Sequence, residues 1–182
     1  MARDHFEVLG MPRRYHLDAA QLEERYLALQ KETHPDRFAK AMPRERVEAV
    51  VRNTELNDAY RILKNDIRRA EYILKLEGID IGEEKPRSTT AATKQLVVDP
   101  KLLMEVMELR EGLAEARSDG NDGEIARLTA DVKERRAAAM AIVNDGFSQY
   151  ETGNTRVLDG IARALVSLRY YQRFMDEVEG KE

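Results

Sequence analysis

Hydrophobic side chains recur at helical spacing through most of the chain, and short polar or glycine- and proline-containing breaks separate the runs. In the first half this pattern predicts four helices: one at residues 5–9, one after Asp18 that ends near Thr33, one from Pro43 to about Lys64, and one after Asp66 that stops at Gly78. Asp4, Asp18 and Asp66 are the expected N-terminal caps, because a short acceptor side chain satisfies the free N–H groups of a first turn. The first 77 residues are therefore predicted to form one small helical domain.

The second half contains three longer helical runs. Residues 78–98 hold Gly, Pro, Ser and Thr without a sustained period and are interpreted as a linker, in which 96–98 is too short to count as a strand. Asp99-Pro100 is a strong helix start. The expected inward positions are Leu102, Val106, Leu109 and Leu113, then Ile125, Leu128, Val132, Ile142 or Val143 and Phe147, and finally Leu158, Ile161, Leu165, Leu168 and Met175. The sequence thus predicts an all-α chain with an antiparallel three-helix bundle at 99–178.

Composition narrows the classes of function. The chain has no cysteine, which excludes disulfides, thiol nucleophiles and thiolate metal sites, and favours a cytoplasmic location. The net charge is −4 and the second half is acidic, so a nucleic-acid partner is not expected. No apolar run approaches the length of a membrane span. The three histidines do not form a ligand set, so no metal, cofactor or catalytic centre is predicted.

One tripeptide stands out in the loop between the second and third helices. His34-Pro35-Asp36 follows a helix with Tyr26 and precedes the stretch LNDAYRIL at 56–63, and the chain opens with DHFEVLG at 4–10. Together these segments resemble the J domain of DnaJ-type co-chaperones. The resemblance implies that the tripeptide docks on a DnaK-type ATPase and stimulates its ATP hydrolysis. The implied docking residues are His34, Pro35, Asp36, Arg25, Tyr26, Lys31 and Arg37.

Further segments resemble the HscB family, the J-domain co-chaperones of iron–sulfur cluster assembly. They are MPRRYHLD at 11–18, HPDRF at 34–38, RAEYIL at 69–74 and LMEVMELRE at 103–111, so the resemblance covers nearly the whole chain. It implies a J domain at 1–77 and a scaffold-binding bundle at 99–178. The implied partners are an HscA-type, DnaK-like chaperone and an IscU-like scaffold protein, with no enzymatic activity in the chain itself.

The helix after Asp99 carries apolar residues outside its inward stripe. Leu103, Met104 and Met107 share a broad arc with acidic residues. Two readings stay open. In the first, these side chains are buried by the bundle and the J domain or are tolerated as exposed apolar residues. In the second, they form a methionine-rich patch for a partner. The family resemblance favours the second and implies scaffold-binding residues Leu103, Met104, Met107, Glu108, Glu111, Glu115 and Tyr170. Phe174, which also leaves its helix's stripe, is a weaker candidate than Tyr170.

Two alternative functions remain. A general DnaJ-type co-chaperone would deliver unfolded clients to a DnaK-type chaperone and would show no preference for one folded scaffold. A helical structural or DNA-binding protein would contain the tripeptide by chance, and the acidic second half argues against it.

Overall fold

The computed structural model describes residues 3–34, 37, 42–81, 94–95 and 98–181. The helices are α1 (His5–Leu9), α2 (Ala19–Thr33), α3 (Pro43–Lys64), α4 (Asp66–Leu76), α5 (Pro100–Ser118), α6 (Asp122–Tyr150) and α7 (Leu158–Val178). The two strands are β1 (Ile79–Asp80) and β2 (Lys94–Gln95), and a 3₁₀ turn spans Thr155–Val157. The all-α prediction is confirmed, and the helix boundaries agree with the capping signals in the sequence except at the start of α4.

The chain divides into two compact units, Met1–Ile73 and Leu74–Glu182. In the first unit α1 and α2 both pack on α3. The start of α1 is fixed by Asp4, whose carboxylate accepts the Glu7 N–H at 2.8 Å, and its end by Gly10, whose φ of 62° favours glycine. The buried apolar side chains include Phe6, Leu9, Leu22, Leu56, Ala59, Leu63, Ala70 and Ile73. The helical stripes predicted for this half therefore form its core.

A buried arginine fastens α4 to the segment that joins α1 and α2. The Arg69 guanidinium donates to the Tyr15 carbonyl at 2.7 Å, to the Leu63 carbonyl, and to the Asp66 carboxylate at 2.5 Å. The prediction that Asp66 caps α4 is wrong, because the carboxylate of Asp66 is engaged by Arg69. The Asn65 side chain takes the capping position instead and accepts the Arg68 N–H at 3.0 Å.

The second unit contains the three-helix bundle α5–α7, in which α6 and α7 make the most extensive contact. Asp99 caps α5 by accepting the Lys101 N–H at 2.9 Å. Gly146 allows α6 and α7 to approach closely, since a Cβ there would lie 2.5 Å from Cγ1 of Ile161. Of the two alternatives on α6, Val143 is buried and Ile142 is exposed. The predicted core stripes face the inside of this bundle.

The first part of the second unit, before α5, contains a feature that the sequence did not indicate. Ile79 pairs with Lys94 and Asp80 with Gln95 in a parallel register, and the Arg169 guanidinium donates to the Ile81 carbonyl at 2.8 Å. Two-residue strands are too short to leave a periodic signal. The prediction that the whole of 78–98 is irregular is therefore wrong at these four residues, while 82–93 and 96–97 lie outside the described residues. The domain bounds 1–77, 78–98 and 99–178 stay predictions.

Candidate partner-binding surfaces

The first candidate surface lies at the end of α2. His34 occupies the C-terminal cap position and is exposed to solvent, whereas Pro35 and Asp36 lie outside the described residues. Arg37 closes this end of the helix: its N–H donates to the His34 carbonyl at 3.1 Å, and its guanidinium donates to the Lys31 carbonyl at 3.0 Å. The Arg37 side chain thus satisfies a helix-end carbonyl and ties the chain after the tripeptide to α2.

Tyr26 is half-buried and joins α2 to α3. Its ring stacks on Tyr60 with a centroid distance of 4.0 Å and an interplanar angle of 9°. Its hydroxyl donates to Asn57 Oδ1 at 2.9 Å and accepts from Gln30 Nε2 at 3.0 Å. These contacts hold the two helices that flank His34. The sequence analysis did not predict that Tyr60 and Asn57 are the partners of Tyr26.

The outer side of α2 carries charges of both signs. Arg25 and Lys31 are exposed, and so are Glu23, Glu24 and Glu32. Within the described part of the chain, neither Arg25 nor Lys31 forms an ion pair. The helix that ends at His34 therefore presents two basic side chains to solvent, on a surface that also carries exposed glutamates.

The second candidate surface is on α5, and we call it the α5 patch. Its three apolar members, Leu103, Met104 and Met107, are 40, 63 and 61% exposed. Its three acidic members, Glu108, Glu111 and Glu115, are also exposed. The opposite side of the same helix buries Leu102, Val106, Leu109 and Leu113. The reading in which the three apolar residues belong to the core is therefore wrong, because α5 turns them away from the bundle.

The carboxylates of the α5 patch differ in their ion-pair partners from Glu105, the other acidic residue of α5. No basic side chain among the described residues forms an ion pair with Glu108, Glu111 or Glu115. Glu105, by contrast, accepts from the Arg135 guanidinium at 2.9 Å and from the Tyr171 hydroxyl at 2.8 Å. Burial, together with the bond to Glu105, raises the pKa of Tyr171 to about 12. This network anchors α5 to both neighbouring helices and neutralises Glu105, whereas the other three carboxylates of α5 form no ion pair among the described residues.

The two aromatic residues considered on α7 have different environments. Phe174 is fully buried and belongs to the core of the bundle. Tyr170 is half-buried, and the Arg173 guanidinium carbon lies 5.8 Å from the centre of its ring. Its assignment to the scaffold-binding residues stays a prediction.

Metal and membrane sites were also considered. In the described ranges no cluster of three His, Asp or Glu side chains is placed to hold a metal ion. No helix in the same ranges is long and apolar enough to cross a membrane.

Comparison with family models defines the class of this protein. Residues 4–72 match the DnaJ domain, and residues 98–179 match a domain described as the HSCB C-terminal oligomerisation domain. The chain is thus a J-domain protein, whose N-terminal module is that of co-chaperones for DnaK-type chaperones.

Relatives and solved structures identify the family. The chain is 38% identical over 166 residues to a co-chaperone protein HscB homolog of Vibrio vulnificus, covering 88% of this chain and 91% of the relative. It is 35% identical over 179 residues to the co-chaperone protein HscB of Proteus mirabilis, covering 98 and 95%. The structure of chaperone HscB from Vibrio cholerae aligns with a TM-score of 0.75, at 31% identity and coverages of 98 and 96%. The crystal structure of human co-chaperone protein HscB aligns with a TM-score of 0.77 at 28% identity, and the alignment covers 99% of this chain and 82% of the human one. The chain belongs to the HscB family of co-chaperones.

Proposed function

We propose that this co-chaperone binds an IscU-like iron–sulfur scaffold protein and delivers it to an HscA-type chaperone while stimulating that chaperone's ATP hydrolysis. The outcome is the release or transfer of the iron–sulfur cluster held by the scaffold. The chain contributes binding and presentation, and ATP hydrolysis takes place on the partner. Action in the cytoplasm stays a prediction from the cysteine-free sequence.

The observation that carries the proposal is the exposure of the α5 patch. Single exposed apolar residues are common on folded proteins, and the informative feature is a contiguous apolar patch beside charge of one sign. Here two methionines and a leucine project outward beside three unpaired carboxylates. Methionine side chains adapt to irregular surfaces, and unneutralised acid beside them favours a partner with a basic rim. We therefore assign the α5 patch to a scaffold protein whose own docking surface has a basic rim.

The J domain supplies the second half of the proposal. His34 is exposed at the end of α2, and Arg37, Tyr26 and Tyr60 hold the helices around it through contacts that leave the His34 position accessible. We assign the contact with the chaperone to His34, Pro35, Asp36, Arg25 and Lys31. Tyr26 and Arg37, which sequence reasoning placed in the same group, act by shaping the end of the α2–α3 hairpin.

Steady-state ATPase assays of an HscA-type chaperone test this function. The chaperone is measured alone, with this chain, with an IscU-type scaffold, and with both. We expect stimulation by the chain and further stimulation when the scaffold is added. H34Q and D36N should abolish the stimulation, because both residues belong to the proposed contact with the chaperone. H34Q should leave the fold intact, since His34 is exposed. H16Q, the same change at another exposed histidine of this unit, serves as the matched control and should leave stimulation intact.

The outcomes separate the candidate functions. Stimulation that is unaffected by H34Q and D36N would contradict the role assigned to the tripeptide. Stimulation of a DnaK-type chaperone with unfolded clients but no response to the scaffold would support the general DnaJ-type alternative.

A further inference from the structure

The methionines of the chain are distributed unevenly between buried and exposed sites. Met11 is buried, Met140 and Met175 are half-buried, and Met42, Met104 and Met107 are exposed. Among the described residues three methionines are exposed, and two of them lie in the α5 patch, three residues apart and therefore on the same side of the helix. The thioether sulfur atoms that an oxidant in solution reaches most readily are thus concentrated on the proposed docking surface.

We propose that Met104 and Met107 are a reversible oxidation site through which peroxide switches off scaffold binding. This inference rests on the proposed function of the α5 patch. The oxidant is hydrogen peroxide: a sulfur lone pair attacks one peroxide oxygen, the O–O bond breaks, the sulfur gains that oxygen as a sulfoxide, and water leaves. The thioether loses two electrons and the peroxide gains them. Methionine sulfoxide reductases reverse the reaction with electrons from a dithiol.

The consequence follows from the composition of the α5 patch. Its apolar surface consists of three side chains, and sulfoxidation makes two of them polar while leaving only Leu103. Each new S–O dipole directs its negative oxygen into a region that already carries Glu108 and Glu111 without basic partners. A partner that docks on the oxidised patch must desolvate these dipoles against the apolar part of its own surface, which weakens binding.

The fold should tolerate the same modification. Both side chains point away from the bundle, whose core is formed by the opposite side of α5. Oxidation of these residues therefore changes the docking surface without opening a cavity in the core. The chain has no cysteine, so mild peroxide treatment does not generate disulfides or sulfenic acids that would complicate the result.

The test uses the full chain and measures oxidation and scaffold binding on the same samples. The protein is treated with hydrogen peroxide, the reaction is stopped with catalase, and peptide mass spectrometry reports the sulfoxide at each methionine. The affinity for an IscU-type scaffold is measured by calorimetry before and after treatment. We expect Met104 and Met107 to react faster than Met11 and the affinity to fall about tenfold or more. Sulfoxide reductases with a dithiol should restore it.

Variants assign the effect to the two residues. M104L/M107L should keep its own untreated affinity after peroxide treatment, since leucine has no oxidisable sulfur. M42L removes the exposed methionine of the other unit and should lose affinity on treatment as the unmodified chain does. Prior addition of the scaffold should slow oxidation of Met104 and Met107 but leave Met42 unaffected.

Two failures can be distinguished. If the untreated chain does not bind the scaffold, the proposed function and this inference are both overturned. If the untreated chain binds and full oxidation at Met104 and Met107 leaves the affinity unchanged, only the oxidation switch is overturned.

Discussion

Two helices of this protein expose three large apolar residues each, and their surroundings differ in charge. On α3 these are Val47, Val50 and Val51, which are 63, 51 and 51% exposed. On α5 they are the leucine and two methionines of the α5 patch, exposed to a similar extent. Exposed apolar area alone therefore does not distinguish the two surfaces.

The charges beside each surface do distinguish them. On α3, Glu48 pairs with Arg44 at 3.1 Å and with Arg52 at 3.8 Å, so opposite charges neutralise each other. The carboxylates of the α5 patch have no such partners within the described ranges. The side chains also differ, because β-branched valine has restricted rotamers and methionine adapts its shape. This difference in charge and side-chain shape is the reason that we propose the α5 patch, and not the α3 surface, as the docking surface.

The largest expected effect comes from the buried side of α5. L109A should lower the free energy of unfolding by about 2–5 kcal/mol, because it leaves a cavity in the bundle core. Urea unfolding followed by circular dichroism measures this change. L103A, the same substitution on the exposed side, is the matched control and should cost less than about 1 kcal/mol. Equal losses for both variants would mean that Leu103 is packed as firmly as Leu109.

The next effect concerns scaffold affinity. L103A/M104A/M107A should weaken binding to an IscU-type scaffold by about 2–3 kcal/mol in sum, the scale of a small hot-spot cluster. Helicity should be preserved, since alanine is the best helix former. V47A/V50A/V51A truncates three exposed apolar residues on α3 and should leave scaffold affinity unchanged by calorimetry. A larger loss from the α3 variant than from the α5 variant would reverse the assignment of the two surfaces.

Charge reversal should act mainly on the rate of association. E108K/E111K should slow scaffold association about tenfold at low salt and reduce its salt dependence, because the attraction of a basic partner is lost. Stopped-flow measurements over a range of salt concentrations report both quantities. E48K on α3 disrupts an already neutralised cluster and should leave the association rate unchanged. Unaltered kinetics for E108K/E111K would remove the electrostatic part of the argument.

The smallest effect concerns stability on α3. V47A/V50A/V51A should change the free energy of unfolding by less than about 1 kcal/mol, since the gain in helix propensity offsets the modest apolar area lost. Thermal unfolding followed by circular dichroism measures this change in stability. A loss of several kcal/mol would show that these valines are part of a packed interface and not a free surface.

The sequence predicted most of the fold because its helices carry explicit boundaries. Asp4 with Gly10, Asp18 and Asp99-Pro100 mark ends that the structure reproduces. The sequence could not show whether Met104 is exposed or buried. A helical wheel gives the direction of a side chain, but it does not show which neighbouring elements cover that side chain. For the same reason the sequence could not show which of Ile142 and Val143 is the buried residue.

Long-range polar contacts could not be predicted from the sequence. Arg69 reaches the Tyr15 carbonyl across 54 positions, and Tyr171 reaches Glu105 across 66. No periodic pattern links residues so far apart, and a buried arginine is an exception to the usual placement of charge. The pairing of β1 with β2 was missed because each strand has only two residues.

The central claim is that the α5 patch is the scaffold-docking surface, and the methionines offer the most direct measurement. With the methionine methyl groups labelled with ¹³C, NMR spectra are recorded while an unlabelled IscU-type scaffold is added. The account predicts that the Met104 and Met107 signals shift or broaden, while those of Met11 and Met42 stay in place. Shifts at Met42 with unchanged signals from Met104 and Met107 would contradict it.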